Sequence, residues 1–192
     1  MRKLVFATNN DHKLRELKQL LQSEFELLSL NDINCFDDIP ETGTTLEINA
    51  AQKSYYIWDK YGMNCFADDT GLEIELLSNE PGVYSARYAG EDKSAIANMT
   101  KVLKKMDGET NRKARFRCVI SLIIDGVEKQ FEGIVEGTIL YEKHGETGFG
   151  YDPIFMPDGY NLSFAEMSHI EKNRISHRGR AVEKLVSYLK TI

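Results

Sequence analysis

The sequence has few cysteines, and none of them are spaced for pairing. Its three cysteines, Cys35, Cys65 and Cys118, are an odd number, lie far apart and form no C-x-x-C motif. A disulfide framework and a zinc knuckle both need paired or closely spaced cysteines, so we expect neither. A reducing compartment fits this cysteine usage best.

The sequence also has fewer basic than acidic residues. The chain carries 24 Lys and Arg residues against 30 Asp and Glu residues, which gives a formal net charge of −6. Binding to the backbone of a nucleic acid needs a basic surface that releases counterions, so we expect no nucleic-acid polymer as a partner. A small phosphorylated ligand is still compatible with this charge, because a few local Lys and Arg residues suffice to bind it.

Long apolar runs are missing. The apolar run near the N-terminus turns polar after Ala7 and is too short for a signal peptide, and no later stretch approaches the roughly 20 residues that span a bilayer. We therefore expect a cytoplasmic protein without a membrane partner. Its 192 residues and ordinary globular composition predict a single folded domain over residues 1–192, or two closely packed lobes.

The sequence does contain alternating strand and helix patterns. The apolar run from Leu4 to Ala7 predicts a buried strand, and Thr44 and Glu47 have the spacing of a capping box. Apolar residues at helical spacing predict three helices. These residues are Leu14, Leu17, Leu20 and Leu21 in the first helix, Leu46, Ala50, Ser54, Ile57 and Tyr61 in the second, and Ile96, Met99, Val102, Leu103 and Met106 in the third.

The middle of the chain predicts a long β-hairpin. Apolar residues alternate over residues 114–124, and Asp125-Gly126 is a strong two-residue turn signal before a partner strand that runs to about Ile139.

Alternation at Leu72, Ile74 and Leu76 predicts a half-buried strand, and Ser176 is placed to cap a last helix. The pattern predicts an α/β fold with a mixed sheet, antiparallel in the hairpin and parallel in the strand-helix units.

Two adjacent acids, Asp68 and Asp69, follow the apolar run at residues 65–67 and precede Thr70-Gly71. Strand ends face the ligand crevice in α/β folds, and neighbouring carboxylates repel each other, so we expect a positive group beside them. Hydrated Mg²⁺ is the simplest candidate, with Glu41 as a third carboxylate. An Asp that contacts water can also act as a general base. The alternative is a turn with two solvated acids.

Two further segments have the chemistry of a nucleotide site. Thr8, Asn10 and Lys13 lie at a predicted helix N-terminus, where backbone N–H groups bind phosphate, although the segment lacks a Walker motif. Lys53 is either a phosphate partner or a surface lysine. The glycine-flanked Phe149 can stack on a heterocycle, and Arg178 is a donor-only group that suits a keto oxygen. No zinc-hydrolase or serine-hydrolase motif is present.

Taken together, these motifs resemble the inosine triphosphate pyrophosphatase family, and the bacterial dITP/XTP pyrophosphatases in particular. The resemblance runs from Lys3 to about Leu189. The residues that carry it are T-x-N-x-x-K at residues 8–13, the stretch after Asp68-Asp69 with PGVYSARYAGED, the loop GFGYDPIF at residues 148–155, and Ser176-His177-Arg178.

The resemblance implies a Mg²⁺-dependent enzyme that hydrolyses ITP, dITP and XTP to the monophosphate and pyrophosphate and so removes deaminated purines. It also implies an elongated α/β fold with two lobes around a cleft, and a homodimer. Two alternatives are a Maf-like pyrophosphatase for modified pyrimidine nucleotides and a nucleotide sensor without hydrolysis. The gathered acids argue against the sensor, because a pure binder of polyphosphate gains nothing from negative charge near its ligand.

The resemblance also implies residue roles. Asp69 would be the proton acceptor and, with Glu41, a metal ligand, while Asp68 would assist. The phosphates would be held by Thr8, Asn9, Asn10, Asp11, His12 and Lys13, and Lys53 and Thr70 would contact the substrate. The base pocket would be formed by Phe149, Gly150, Tyr151 and Asp152 and closed by Lys172, His177 and Arg178.

Overall fold

A computed structural model of the chain describes residues 2–8, 14, 17 and 25–192. In this part of the chain the strands are β1 (Arg2–Phe6), β2 (Phe25–Leu28), β3 (Cys65–Ile74), β4 (Glu80–Pro81), β5 (Lys113–Ile124), β6 (Val127–Ile139) and β7 (Phe155–Pro157). The helices are α1 (Leu46–Tyr61), α2 (Ala95–Lys105), α3 (His169–Ile175) and α4 (His177–Leu189). Within the same ranges, no helix combines the length and the apolar character needed to cross a membrane.

The strands form a mixed sheet. Their order is β2-β1-β3-β5-β6-β7, and β4 pairs with β3. Strand β1 runs parallel to both β2 and β3, whereas β7 is antiparallel to β6 and β4 is antiparallel to β3. The predicted α/β class with a mixed sheet is confirmed. Strand β2 was not predicted, because its four residues are too few to show a period.

The turn between β5 and β6 is the one that the sequence predicts. Asp125 and Gly126 both have positive φ, 50° and 81°. Two consecutive left-handed residues define the turn type whose twist matches the flanking strands. The N–H of Asp125 donates to the Asn64 side chain over 2.8 Å, which holds the turn from outside the hairpin.

Helix α1 begins one residue later than its capping-box spacing predicts. Its N-cap is Thr45, whose side chain accepts a hydrogen bond from Ile48 N. Glu47 therefore occupies the second helical position, where it does not complete a capping box with Thr44, and that part of the prediction was wrong. The predicted inner face is confirmed at Leu46, Ala50, Ser54 and Ile57, which are all buried.

Strand β3 is continuous through the segment in which the sequence predicts a turn. The prediction placed a strand end at Ala67 and a second strand from Leu72 to Leu76, but one strand runs over Cys65–Ile74. Pairing supports both of its ends, with β1 opposite Phe66 and β4 opposite Glu73. The alternation of apolar and acidic residues at positions 72–76 predicted that Glu73 faces solvent. Glu73 is instead buried and forms ion pairs with two arginines of β5. Leu76 lies in a 3-10 turn.

The chain divides into two compact units. The first comprises Met1–Asp69, Cys118–Glu132 and Ala181–Ile192, and the second comprises Thr70–Arg117 and Gly133–Arg180. In the first unit the inner face of α4, formed by Ala181, Val182, Leu185 and Leu189, packs into the core with residues of β1 and β5. In the second, Phe116, Phe155 and Phe164 pack with residues of α2. The single domain, the elongated shape and the cleft stay predictions.

In the second unit, the side chain of Arg112 forms hydrogen bonds to the end of helix α2 and to the end of strand β6. It is 5% exposed, and its guanidinium donates to the carbonyl oxygens of Ile139 (2.6 Å), Met106 (2.9 Å) and Leu140 (2.7 Å). We expect Arg112→Met to lower the free energy of unfolding by about 2 to 4 kcal/mol, because it leaves buried carbonyl oxygens without their donors. Urea unfolding measures this change.

Arg180→Met is the matched control. Arg180 also donates to a backbone carbonyl, that of Ile134, but the bond is exposed to water. Its replacement is expected to cost less than about 1 kcal/mol, because water takes over the carbonyl. Equal losses in the two variants would show that burial of the Arg112 contacts does not matter.

Candidate active site

The two adjacent acids lie just past the end of strand β1. Strand β1 stops at Phe6, which pairs with Phe66, and Ala7 N donates to Phe66 O over 2.8 Å. Strand β3 continues, so Asp68 and Asp69 follow where its neighbour has ended. The alternative of a turn with two solvated acids is excluded, because the carboxylates are held on a continuous strand and Asp68 is only 6% exposed.

Helix α1 fixes the loop that carries Glu41. The Gln52 side-chain oxygen accepts from Thr42 N (3.0 Å) and Gly43 N (3.2 Å), and the buried Asn49 accepts from Gly43 N over 2.7 Å. Gln52 also donates to the hydroxyl of Thr42 over 2.9 Å. These four contacts determine the position of the residue before them, Glu41. Sequence reasoning missed Asn49 and Gln52, although a polar Asn49 beside the apolar inner face of α1 was an available signal.

Gly43 is required by the close approach of this loop to α1. A Cβ atom at this position would lie 2.5 Å from Ile48 Cγ2 and 2.8 Å from Asn49 Oδ1. Both distances are below ordinary van der Waals contact, so a side chain at this position would force the loop, Ile48 or Asn49 to shift. The glycine therefore helps to place Glu41.

Lys53 provides the positive group that the paired acids need. Its ammonium donates to Glu41 and lies 3.9 Å from Asp69 Oδ1, and its side chain is only 12% exposed, which excludes the surface-lysine alternative. Burial by itself lowers the pKa of Lys53. The negative charges of Asp69, Glu41 and Asp68 outweigh burial, so the pKa is raised above its ordinary value. The amine is therefore protonated at neutral pH.

The donor set matches the chemistry of Mg²⁺. Glu41, Asp68 and Asp69 offer hard carboxylate oxygens, and Mg²⁺ is commonly held by one or two carboxylates together with substrate phosphates. Three carboxylates and one ammonium leave a local charge of about −2, which a divalent ion would neutralise. Among the described residues, no group of three or more His, Cys, Asp or Glu side chains is gathered closely enough to hold a metal by itself.

The predicted phosphate-binding segment is described only at its start. Thr8 lies two residues beyond the end of β1, and its backbone N–H donates to Phe6 O over 2.8 Å. Asn9, Asn10, Asp11, His12 and Lys13 lie outside the described residues. Leu14 and Leu17 are helical and buried, as the leucine spacing predicts.

In the second unit, the predicted base loop has one exposed ring and a buried support. Phe149 is 83% exposed, whereas Asp152 is buried and accepts hydrogen bonds from Phe149 N and the ammonium of Lys172. Tyr151 is also buried, and its hydroxyl donates to Ser85 O over 2.8 Å. Burial raises the pKa of Tyr151 above its ordinary value, so the hydroxyl stays protonated. Gly150 adopts φ 62° between the two aromatic residues.

Lys172, His177 and Arg178, the residues predicted to close the base pocket, lie on two helices. Ser176 ends α3 and, as predicted, caps α4 by accepting from Gly179 N over 3.1 Å. Lys172 is on α3, and His177 and Arg178 begin α4. Helix α3 was missed, although the capping box of Ser168 and Glu171 that starts it is visible in the sequence.

An aromatic cluster supports two of these side chains. The His177 ring stacks on Phe116 with centroids 4.8 Å apart and an interplanar angle of 15°. Phe116 also packs against Phe164, and the ammonium of Lys172 lies 5.5 Å from the Phe164 ring centroid. Sequence reasoning missed both phenylalanines, because apolar core residues carry no local sign of what they support. Thr70 follows Asp69 directly in β3.

Comparison with known proteins places the chain in a family. The sequence model of the Ham1 family matches residues 4–188, nearly the whole chain. The chain belongs to the Ham1 family. The dITP/XTP pyrophosphatase of Christiangramia forsetii is 54% identical to it over 187 residues, which cover 97% of this chain and 98% of that protein.

Solved structures agree with this assignment. The Staphylococcus aureus Ham1 protein has a TM-score of 0.95 and 40% identity, and the match covers 99% of both chains. A Mycobacterium abscessus protein described as a nucleoside-triphosphatase and dITP/XTP pyrophosphatase has a TM-score of 0.84 and 39% identity, over 95% of this chain and 98% of that one. The predicted family and enzyme class, a hydrolase of phosphoric anhydride bonds, are confirmed.

Proposed function

We propose that this chain is a Mg²⁺-dependent pyrophosphatase that hydrolyses dITP, XTP and ITP to the nucleoside monophosphate and pyrophosphate. Its role would be to remove deaminated purine nucleotides from the nucleotide pool. The names of its Ham1-family relatives support dITP and XTP as substrates. The observation that carries the proposal is the cluster of Glu41, Lys53 and Asp69, which combines a largely buried cation with carboxylates.

Each member of this cluster has a task in hydrolysis at the α-phosphorus. Asp69 accepts a proton from the attacking water, the water oxygen bonds to the α-phosphorus, and the bond to the β-phosphate oxygen breaks. The ammonium of Lys53 remains protonated because of the surrounding acids, so it can balance negative charge on the departing pyrophosphate. Lys13 is proposed to assist it.

Glu41 and Asp69, with Asp68 as a helper, are the residues that would hold Mg²⁺. The ion would supply a lower pKa for the attacking water and positive charge next to the phosphates. Helix α1 holds the loop that follows Glu41, and Asp69 lies within the continuous strand β3. The backbone at both residues is therefore well supported. Rigid support matters because a catalytic group must be kept within a fraction of an ångström of its working position.

Choice of the base follows from hydrogen-bond donors. The exposed Phe149 ring is available for stacking, and Arg178 offers only donors. A donor aimed at position 6 of a purine donates a hydrogen bond to the keto oxygen of hypoxanthine or xanthine. It rejects adenine, because an amino group there would leave two donors facing each other.

The setting of the enzyme is part of the proposal. The substrate is a free nucleoside triphosphate rather than a nucleic-acid polymer, which agrees with the net charge of −6. A homodimer and a cytoplasmic location stay predictions from the family resemblance and from the sequence.

Pyrophosphate release across a nucleotide panel tests the proposed substrates. We expect kcat/KM for dITP, XTP and ITP to exceed that for ATP by at least about 100-fold. Discrimination of this size is expected when a buried donor of the protein faces the amino group of adenine and loses its hydrogen bond. The panel includes dUTP and methylated pyrimidine triphosphates, and products are separated by chromatography. A preference for the pyrimidines would favour the Maf-like alternative. Binding without release of pyrophosphate would favour the sensor, and release of single phosphate would reject attack at the α-phosphorus.

A further inference from the structure

The ammonium of Lys53 lies against the two carboxylates to which a divalent cation would bind. Lys53 donates to Glu41 Oε1 and lies 3.9 Å from Asp69 Oδ1, and these are the two acids proposed to hold the metal. Two positive groups that share ligands in a poorly hydrated site repel each other strongly, because the effective dielectric constant there is far below that of water. We therefore expect one of them to withdraw when the other binds.

The backbone that carries the two acids is held in place, whereas the long lysine side chain can change its conformation. Glu41 precedes a loop held by Asn49 and Gln52, and Asp69 lies within strand β3. The lysine ammonium instead ends a flexible four-carbon chain and is a point charge without a required orientation. The group that yields to a metal ion is therefore Lys53, provided that its charge finds another partner.

The phosphates of a nucleotide supply that partner. We propose that Lys53 is an exchangeable counter-ion, which competes with the metal for Glu41 and Asp69 until substrate phosphates bind its ammonium, and so makes metal and nucleotide bind cooperatively. This inference rests on the proposed function, since it assumes that both ligands bind at this cluster. Coupling between two ligands is reciprocal, so the metal must strengthen nucleotide binding by the same factor.

Titration of the full-length protein with Mn²⁺, followed by the electron paramagnetic resonance signal of the free ion, tests the competition without nucleotide. We expect Lys53→Met to bind Mn²⁺ at least about 5-fold more tightly than the wild type, the lower end of ordinary coupling between ligands. Lys53→Gln provides a second neutral variant in case the methionine variant does not fold. Unchanged or weaker Mn²⁺ binding in a folded neutral variant would overturn the inference.

Two control variants isolate the charge at this position. Lys53→Arg keeps the positive charge and is expected to bind Mn²⁺ within about 2-fold of the wild type. Lys60→Met removes one positive charge from the same helix, where Lys60 pairs with the exposed Asp37. It is also expected to stay within about 2-fold, because that pair is screened by water. Tighter binding in Lys60→Met would attribute the effect to net charge and reject the role of Lys53.

The cooperative part is tested by adding a dITP analogue with a methylene group between the α- and β-phosphorus atoms. In the wild type the analogue should tighten Mn²⁺ binding, and in Lys53→Met this gain should be at least about 3-fold smaller. An equal gain in both proteins would overturn the coupling. Absence of metal-dependent dITP hydrolysis in the wild type would instead reject the proposed function, so the two failures are distinguishable.

Discussion

Asp69→Asn is expected to lower kcat for dITP by about 100-fold or more. The asparagine has nearly the same size and keeps its place in strand β3, but its amide neither accepts a proton from water nor binds a metal ion as a carboxylate does. The proton acceptor and part of the metal site are lost together. Initial rates of pyrophosphate release at saturating dITP and Mg²⁺ measure the change.

Asp59→Asn is the control for this substitution. Asp59 is an exposed acid on helix α1, and its replacement is expected to leave kcat within about 2-fold of the wild type. Thermal unfolding of both variants verifies that each is folded. Wild-type turnover in a folded Asp69→Asn variant would show that another group accepts the proton.

Chelation of divalent metal is expected to reduce pyrophosphate release to below about 1% of its starting rate. Glu41, Asp68 and Asp69 carry three negative charges, and the single ammonium of Lys53 does not neutralise both them and a triphosphate. Without further positive charge, repulsion opposes substrate binding and development of the pyrophosphate leaving group. Pyrophosphate release is measured after dialysis against EDTA and again after Mg²⁺ is added back.

EDTA that has been saturated with Mg²⁺ beforehand is the control for direct effects of the chelator. It should leave the rate unchanged, and adding Mg²⁺ to the dialysed enzyme should restore activity whereas Na⁺ should not. Full activity in dialysed enzyme, with residual divalent metal measured far below the enzyme concentration, would contradict a metal requirement.

In strand β3, pairing with neighbouring strands outweighs the local turn preference of the sequence. Thr70-Gly71 favours a turn, and the sequence therefore predicted that the acids end a short strand. Backbone pairing on both sides of this dipeptide keeps it extended, with Phe66 paired to β1 and Glu73 paired to β4. Tertiary pairing outweighed a local preference of about 1 kcal/mol, which is the usual scale of such preferences.

Helix and hairpin ends were predicted more accurately, because they are determined by residues that are close together in the sequence. The left-handed Asp125-Gly126 turn and the Ser176 cap depend on residues within four positions of each other. The same kind of signal, Ser168 with Glu171, was present but overlooked for α3. The one-residue shift of the α1 cap from Thr44 to Thr45 reflects two neighbouring threonines that are chemically equivalent candidates.

The sequence alone determined the family to which this protein belongs and its enzyme class. The T-x-N-x-x-K segment at residues 8–13, the adjacent acids with the stretch after them, the GFGYDPIF loop and Ser176-His177-Arg178 indicated the family, because residue types and short spacings can be recognised without knowledge of the fold. The tertiary structure alone decided that Lys53 meets Glu41 and Asp69, which are 12 and 16 positions away in the sequence. Such a meeting depends on how α1 packs on the sheet and on the Asn49 and Gln52 contacts that hold the loop, and packing is a property of the whole chain.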